Sequence, residues 1–102
     1  MENVYRAIAD PTRRGILDSL AKHDESVMAL AKGFDMSLPA VSQHLKVLQN
    51  ARLITGRRKG RQIFYRLNPA PLREVSRWID RYERFWQARL DRLEAHLKKY
   101  NE

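Results

Sequence analysis

The stretch Met36-Ser-Leu-Pro-Ala-Val-Ser-Gln-His-Leu-Lys-Val-Leu48 decides how this chain is read. Leu38, Val41, Leu45 and Leu48 recur at the three- and four-residue spacing of a buried helix face. Ser37 is placed to cap that helix, and Pro39 fits its first turn. The residues between the apolar ones are small or polar, and none is acidic. A helix that only filled a core would ordinarily mix both charge signs on its outer face. With the leucine–valine stripe inward, Ser42, Gln43, Lys46 and Gln49 face out, His44 flanks the stripe, and Ser37, Pro39 and Ala40 lie at the tip. Hydroxyl, amide and imidazole groups match base edges, a cation suits a phosphate, and the absence of acid avoids repelling a polyanion. Gln43 suits bidentate pairing with adenine, and Lys46 suits a phosphate.

The lack of acid extends well beyond this helix. Residues 36–67 hold Lys46, Arg52, Arg57, Arg58, Lys59, Arg61 and Arg66 with no Asp or Glu. Residues 1–35 carry five basic and six acidic side chains, and residues 68–102 eight basic and six acidic. The net charge of +8 therefore sits almost wholly in one third of the chain, which points to a polyanionic partner.

At 102 residues with 43% hydrophobic and 31% charged side chains, the chain has the composition of one globular domain, expected to span 1–102. It has no cysteine, so disulfides, thiolate metal sites and thiol redox sensing are excluded within it. Its N-terminal residues lack a basic head followed by an apolar run, and no stretch of about 18 apolar residues occurs. The expected compartment is the cytoplasm, with no membrane partner.

On the N-terminal side, Glu2 to Ile8 reads as a short helix with Val4, Tyr5 and Ile8 on one side. Asp10 and Pro11 start a second helix with Ile16, Leu17 and Leu20 as its stripe. Gly15 inside it suggests that another helix comes close. Ser26 caps a third, Val27 to Gly33, and a tight connection leads into the quoted helix. Two short helices joined by such a turn form a helix-turn-helix. After it the period changes. Ile63, Tyr65 and Leu67 alternate with Gln62, Phe64 and Arg66 as in a strand, residues 53–58 supply its partner, and Lys59-Gly60 marks the reversal. Arg57, Arg58, Lys59 and Arg61 crowd the hairpin tip, where they would repel one another unless a polyanion met them.

Beyond Asn68-Pro-Ala-Pro71 a last helix, 70–100, carries Leu72, Val75, Ile79, Tyr82, Trp86, Leu90, Leu93 and Leu97 at steps of three and four, widened by Trp78 and Phe85. About thirty residues span about 45 Å, more than so small a domain can cover with its own core. Part of this face is expected to pack on a second copy. Asp80/Arg84 and Glu94/Lys98 are (i, i+4) pairs suited to its opposite face.

The fold class is therefore mainly α with a small β-hairpin: a winged helix-turn-helix of order α-α-α-α-β-β-α. Ala9 to Ala21, Ser37 to Ile54 and the Arg-rich hairpin also resemble the ArsR/SmtB family of bacterial winged-helix transcriptional regulators. The resemblance is close over residues 3–68 and looser in the last helix, and rests on Ser42, His44, Leu45, Lys46 and Leu48 followed by the basic hairpin. It implies a DNA-binding core at 3–68, a recognition helix at 37–50 and a wing at 54–67. It further implies a homodimer formed by the first and last helices and repression of a palindromic operator. Interface candidates are Val4, Tyr5, Ile8, Trp78, Ile79, Tyr82, Phe85, Trp86, Leu90, Leu93 and Leu97. Many family members sense metals through cysteines in the helix before the recognition helix, but Ser26 to Phe34 holds none. On the last helix Asp91, Glu94 and His96 are the conceivable set, and His96 is out of step with the other two. No metal and no cofactor is expected, and the effector is left open. Catalysis is not expected either, because Ser42 and His44 are two apart on a helix and point different ways. An alternative is a winged helix binding RNA or a protein partner, with Phe64 and Tyr65 as stacking candidates.

Overall fold

Every helix up to the hairpin begins where a short polar side chain accepts a backbone N–H that the helix leaves free. Asn3 Oδ1 accepts from Arg6 N (2.9 Å), Asp10 from Arg13 N (3.0 Å), Ser26 Oγ from Ala29 N (3.1 Å) and Ser37 Oγ from Ala40 N (3.3 Å). The Arg13 amide, together with the nearby Arg13 charge, holds the Asp10 carboxyl below its ordinary pKa. In this computed structural model, which describes residues 3–100, the caps open α1 (Val4–Ile8), α2 (Pro11–Lys22), α3 (Val27–Gly33) and α4 (Leu38–Asn50). Strand β1 (Glu25–Ser26) precedes α3, β2 (Ile54–Lys59) and β3 (Gln62–Leu67) form the hairpin, and α5 (Leu72–Tyr100) ends the described chain. The start expected at Glu2 lies outside the described residues, and α1 begins two positions later behind Asn3.

Both α3 and α4 end in the same device. Met36 N donates to Ala31 O and Asp35 N to Lys32 O, while Leu53 N donates to Leu48 O and Arg52 N to Gln49 O. These are two Schellman closures, and each needs a residue in the left-handed region. Asp35 (φ 52°) and Arg52 (φ 62°) take it. Gly33 ends α3 as the sequence suggests, but the left-handed position falls two residues later, at Asp35.

The core of the first unit, which ends at Leu72, gathers Ile16, Leu17 and Leu20 of α2, Leu30 of α3, Val41, Leu45 and Leu48 of α4, and then Leu53, Ile54 and Tyr65. Leu38 does not join them: it is 47% exposed. Side chains on a helix lean toward its N-terminus, so one in the first turn projects past the end of the core. Val4 also departs from expectation. It is buried with Ala7 within its own subunit, because α1 lays this side on α2 and α4. That leaves Tyr5 and Ile8 as the more outward apolar residues of α1.

The sheet has three antiparallel strands in the order β1-β3-β2, one more than the sequence suggests. Glu25 and Ser26 pair with Tyr65 and Phe64, and Ile54 through Lys59 pair with Leu67 through Gln62. A two-residue strand is too short to show a period, so Ser26 reads from sequence only as a helix cap. The hairpin turns through Gly60 (φ 64°) and Arg61, with positive φ at the first loop position only, as in a type II′ turn. Ile63, Tyr65 and Leu67 share a side, but only Tyr65 is buried and Ile63 is 43% exposed. The hairpin outruns the core.

The second unit, from Arg73 on, is helical. Along α5 only Val75 is buried. Trp78, Ile79, Tyr82, Phe85, Trp86, Leu90, Leu93 and Leu97 are all exposed, Trp86 by 61%. Trp78 meets Tyr82 edge-on at 5.4 Å, and Arg89 lies 5.6 Å from the Phe85 ring centre. Lys98 Nζ pairs with Glu94 at 3.7 Å. The Asp80–Arg84 pair does not form; on that part of the helix the polar contact is Gln87 donating to Asp91 Oδ1 at 3.0 Å.

What approaches Gly15 is not a helix but the Phe34 ring, from the turn after α3. A Cβ at Gly15 would stand 2.9 Å from Phe34 Cε1. Glycine in mid-helix costs about 1 kcal/mol against alanine. Gly15→Ala is therefore expected to be neutral or destabilising in the parent, yet to stabilise a Phe34→Ala background by up to about 1 kcal/mol. Urea unfolding of the four-member cycle measures this, and equal effects in both backgrounds would show that the ring imposes no constraint.

Candidate nucleic-acid interface

Burying Val41, Leu45 and Leu48 turns the opposite side of α4 to solvent. Ser42, Gln43, Lys46, Gln49 and Asn50 are exposed there. Ser42, Gln43 and Lys46 have no side-chain hydrogen bond or ion pair to any described residue. Ser37 and Pro39 are exposed at the helix tip and Ala40 is half-buried. The Ser37 hydroxyl oxygen is engaged by Ala40 N, which leaves its hydrogen to donate.

His44 has a partner on another helix. It is half-buried, and its Nδ1 lies 3.3 Å from Arg13 Nη1. The same guanidinium donates from Nε to Ala7 O (2.8 Å) and from Nη2 to Arg6 O (3.1 Å). Arg14 Nη1 donates to Ile8 O at 2.7 Å. Two adjacent arginines at the start of α2 thus hold the carbonyl end of α1, where the helix leaves acceptors unpaired. The sequence signals neither role, since an Arg-Arg pair in the first turns of a helix does not show where its forks will land.

In the hairpin, the register puts Thr55, Arg57 and Lys59 on one face with Arg66, Phe64 and Gln62, and puts Arg58 on the other face with Ile63. Arg57, Arg58, Lys59 and Arg61 are exposed and have no acidic partner among the described residues. Arg66 differs. Its Nη2 and Nε reach Asp24 Oδ2 at 3.0 and 3.2 Å, and this hydrogen-bonded ion pair raises the Arg66 pKa further. Asp24, just before β1, therefore neutralises one cation of the acid-free segment from outside it. The base of the hairpin lies beside the end of α4: Gln49, Arg52, Ile54, Thr55 and Gly56 line a common groove with Asn68. The end of α4 and the base of the hairpin are thus neighbours.

No three His, Cys, Asp or Glu side chains come together among the described residues. Asp91 accepts from Gln87, Glu94 pairs with Lys98, and the His96 ring packs edge-on against Tyr100 at 4.9 Å.

This arrangement of two short helices, an acid-free outer face and a basic hairpin has known counterparts. The model for bacterial regulatory proteins of the arsR family matches residues 10–55. The transcriptional repressor SdpR of Bacillus subtilis is 43% identical over 79 residues, covering 78% of this chain and 88% of the repressor. The chain belongs to the ArsR family. A second relative, the HTH-type transcriptional regulator Rv2034 of Mycobacterium tuberculosis, is 42% identical over 81 residues, covering 79% of this chain and 76% of the regulator. Among solved structures, an ArsR-like transcriptional regulator from Rhodococcus sp. RHA1 superposes with a TM-score of 0.73 at 32% identity, covering 94% and 88% of the two chains. A possible transcriptional regulator for arsenical resistance gives 0.70 at 41% identity, covering 88% and 91%. ArsR-family membership makes this chain a DNA-binding transcriptional regulator of winged helix-turn-helix fold, not an enzyme.

Asp24→Asn should release Arg66 as a further uncompensated cation of the hairpin. Log affinity for a nonspecific duplex should then fall more steeply with log salt, by up to about one unit of slope. A titration across salt concentrations reads this directly, and an unchanged slope would mean that Arg66 meets no phosphate.

Proposed function

We propose that this ArsR-family chain is a homodimeric repressor that reads a palindromic operator with α4 in the major groove, while the β2–β3 hairpin lies as a wing on the adjacent backbone or minor groove. The observation that carries the reading is the outer face of α4, where Ser42, Gln43 and Lys46 stand exposed, without internal partners and without a neighbouring acid within residues 36–67. Base reading falls to Gln43, helped by Ser42 and His44, and Lys46 takes a phosphate. Ser37, Pro39 and Ala40 let the tip of the helix approach the backbone closely. Arg57, Arg58, Lys59 and Arg61 extend the contact to phosphates beside each half-site. RNA stacking loses its support, because Tyr65 is buried and Phe64 half-buried.

Dimerisation rests on α5. Eight large apolar side chains from Trp78 to Leu97 lie exposed along one face, a larger apolar surface than a monomeric domain ordinarily leaves to water. A second copy packed on this face covers it; Tyr5 and Ile8 of α1 are further interface candidates, and a two-fold dimer presents two α4 helices to successive major grooves. Repression is the action named for SdpR, and an operator overlapping a promoter would achieve it by occlusion. No described helix is long and apolar enough to cross a membrane.

Selection from a random duplex pool should return a palindrome. On that sequence Gln43→Ala should cost about 1–3 kcal/mol and relax preference at one position of each half-site. Lys46→Ala should weaken all duplexes alike and flatten the salt dependence. If both variants bind like the parent, α4 is not the reader.

Leu90→Glu should bury a charge without a partner, at a cost of several kcal/mol to the dimer. It should sediment as a monomer and lose operator affinity while its far-ultraviolet circular dichroism stays that of the parent. A parent protein that is monomeric at micromolar concentration yet binds the palindrome tightly would sink the dimer.

A further inference from the structure

The contact between Arg13 and His44 has a chemical consequence for the proposed reader. A guanidinium has five N–H donors and no acceptor. At 3.3 Å from Arg13 Nη1, His44 Nδ1 must be the accepting nitrogen and therefore carries no hydrogen. The neutral ring then holds its hydrogen on Nε2. No described residue accepts a hydrogen bond from that Nε2–H, although the ring sits half-buried on the helix that carries the reading face and within electrostatic reach of the Asp10 carboxylate. The fork that imposes this is itself fixed, since Nε and Nη2 of Arg13 are tied to Ala7 O and Arg6 O. A lysine could not reproduce three such directions from one charged group.

We infer that Arg13 is a positioning residue for DNA reading: by donating to His44 Nδ1 it sets the ring as the Nε2–H tautomer and makes His44 a hydrogen-bond donor toward an acceptor on DNA. The inference rests on α4 being the reader. The acceptor is an oxygen or nitrogen lone pair, from either of two sources. One is a base edge such as guanine O6 or N7 or thymine O4, and the other is a phosphate oxygen. Arg13 itself stays behind α4 and touches no DNA. It also couples the reader to the carbonyl end of α1, so a shift of α1 would free the ring to take the other tautomer.

Arg14 provides an internal control. It holds the same end of α1, through Ile8 O, without touching His44. The first measurement is a long-range proton–nitrogen correlation spectrum of the 15N-labelled full chain without DNA. It is recorded well above the ordinary imidazole pKa of about 6.5, with His44 assigned by its loss in His44→Gln. The parent should give the Nε2–H pattern, Arg14→Met should keep it, and Arg13→Met should give a mixture of tautomers. In operator binding, Arg13→Met should lose roughly tenfold in affinity, the scale of one hydrogen bond, and Arg14→Met much less. A loss confined to one operator position identifies a base acceptor and a uniform loss identifies a phosphate; both support the inference. An Nδ1–H pattern in the parent, an unchanged pattern in Arg13→Met, or equal affinity losses for the two arginine variants overturns it. Should Arg13→Met fail to fold, the histidine variants decide. The glutamine amide overlies the Nε2 side of an imidazole and the asparagine amide the Nδ1 side, so His44→Gln should retain binding that His44→Asn loses, and the reverse order overturns the inference. A parent that binds no duplex at all would refute the reader itself, while the tautomer measurement would still judge the role of Arg13.

Discussion

Burial of Val41, Leu45 and Leu48 where α4 packs on α2 and α3 is the constraint on which the rest depends. Each fully buried side chain of this size contributes about 1.5–3 kcal/mol, so the three together outweigh any single polar contact on the surface. They also set an angle. Successive helix residues are turned by about 100°, so an inward stripe at these positions leaves no freedom in where Ser42, Gln43 and Lys46 face. The hydrophobic core thus does two things at once: it holds α4 in place and it aims its polar groups. The same logic carries into the hairpin, where Ile54 and Tyr65 are buried at the base and the exposed cations lie toward the tip.

The chain handles its cations in two ways. Lys46, Arg57, Arg58, Lys59 and Arg61 are left without acidic partners, at some cost in mutual repulsion, and that repulsion is what a polyanion relieves. Arg13, Arg14 and Arg66 are instead absorbed into the structure, by helix carbonyls or by Asp24. Which cations are free is a property of the fold, since the number of basic residues alone does not distinguish the two groups. The long helix presents the opposite economy: its polar sides carry their own contacts, such as Glu94 with Lys98, and its apolar side is left open.

Much of this was legible beforehand, and the reasons are local. The starts of α2, α3 and α4 follow from Asp10, Ser26 and Ser37, because capping depends on residues only three positions apart. The outward face of α4 follows from a strong 3.6-residue period. What escaped notice depends on distant partners or on length. Strand β1 is two residues long and exists only because β3 lies beside it. Leu38 has the right spacing for the core but sits past its end, and Val4 faces its own subunit because of how α1 settles on α2 and α4. The left-handed positions at Asp35 and Arg52 went unseen because neither is glycine. The destinations of Arg13 and Arg66 lie 31 and 42 residues away in sequence, and no pattern within a single chain announces them.

Ser26 belongs to two structures at once. Its backbone pairs with Phe64 in the sheet, and its side chain caps α3, the first helix of the helix-turn-helix. The hairpin therefore cannot tilt without loosening the start of α3, and α3 in turn is packed against α4. Helix α4 and the hairpin are in this way tied to a common joint, like the jaws of a caliper set to one gap. Such a tool responds to the width of what it grips as well as to its chemical markings. In the proposed complex, a DNA segment whose grooves already match the gap is held without distortion, whereas one that must be widened or narrowed pays an elastic penalty even where no side chain touches a base.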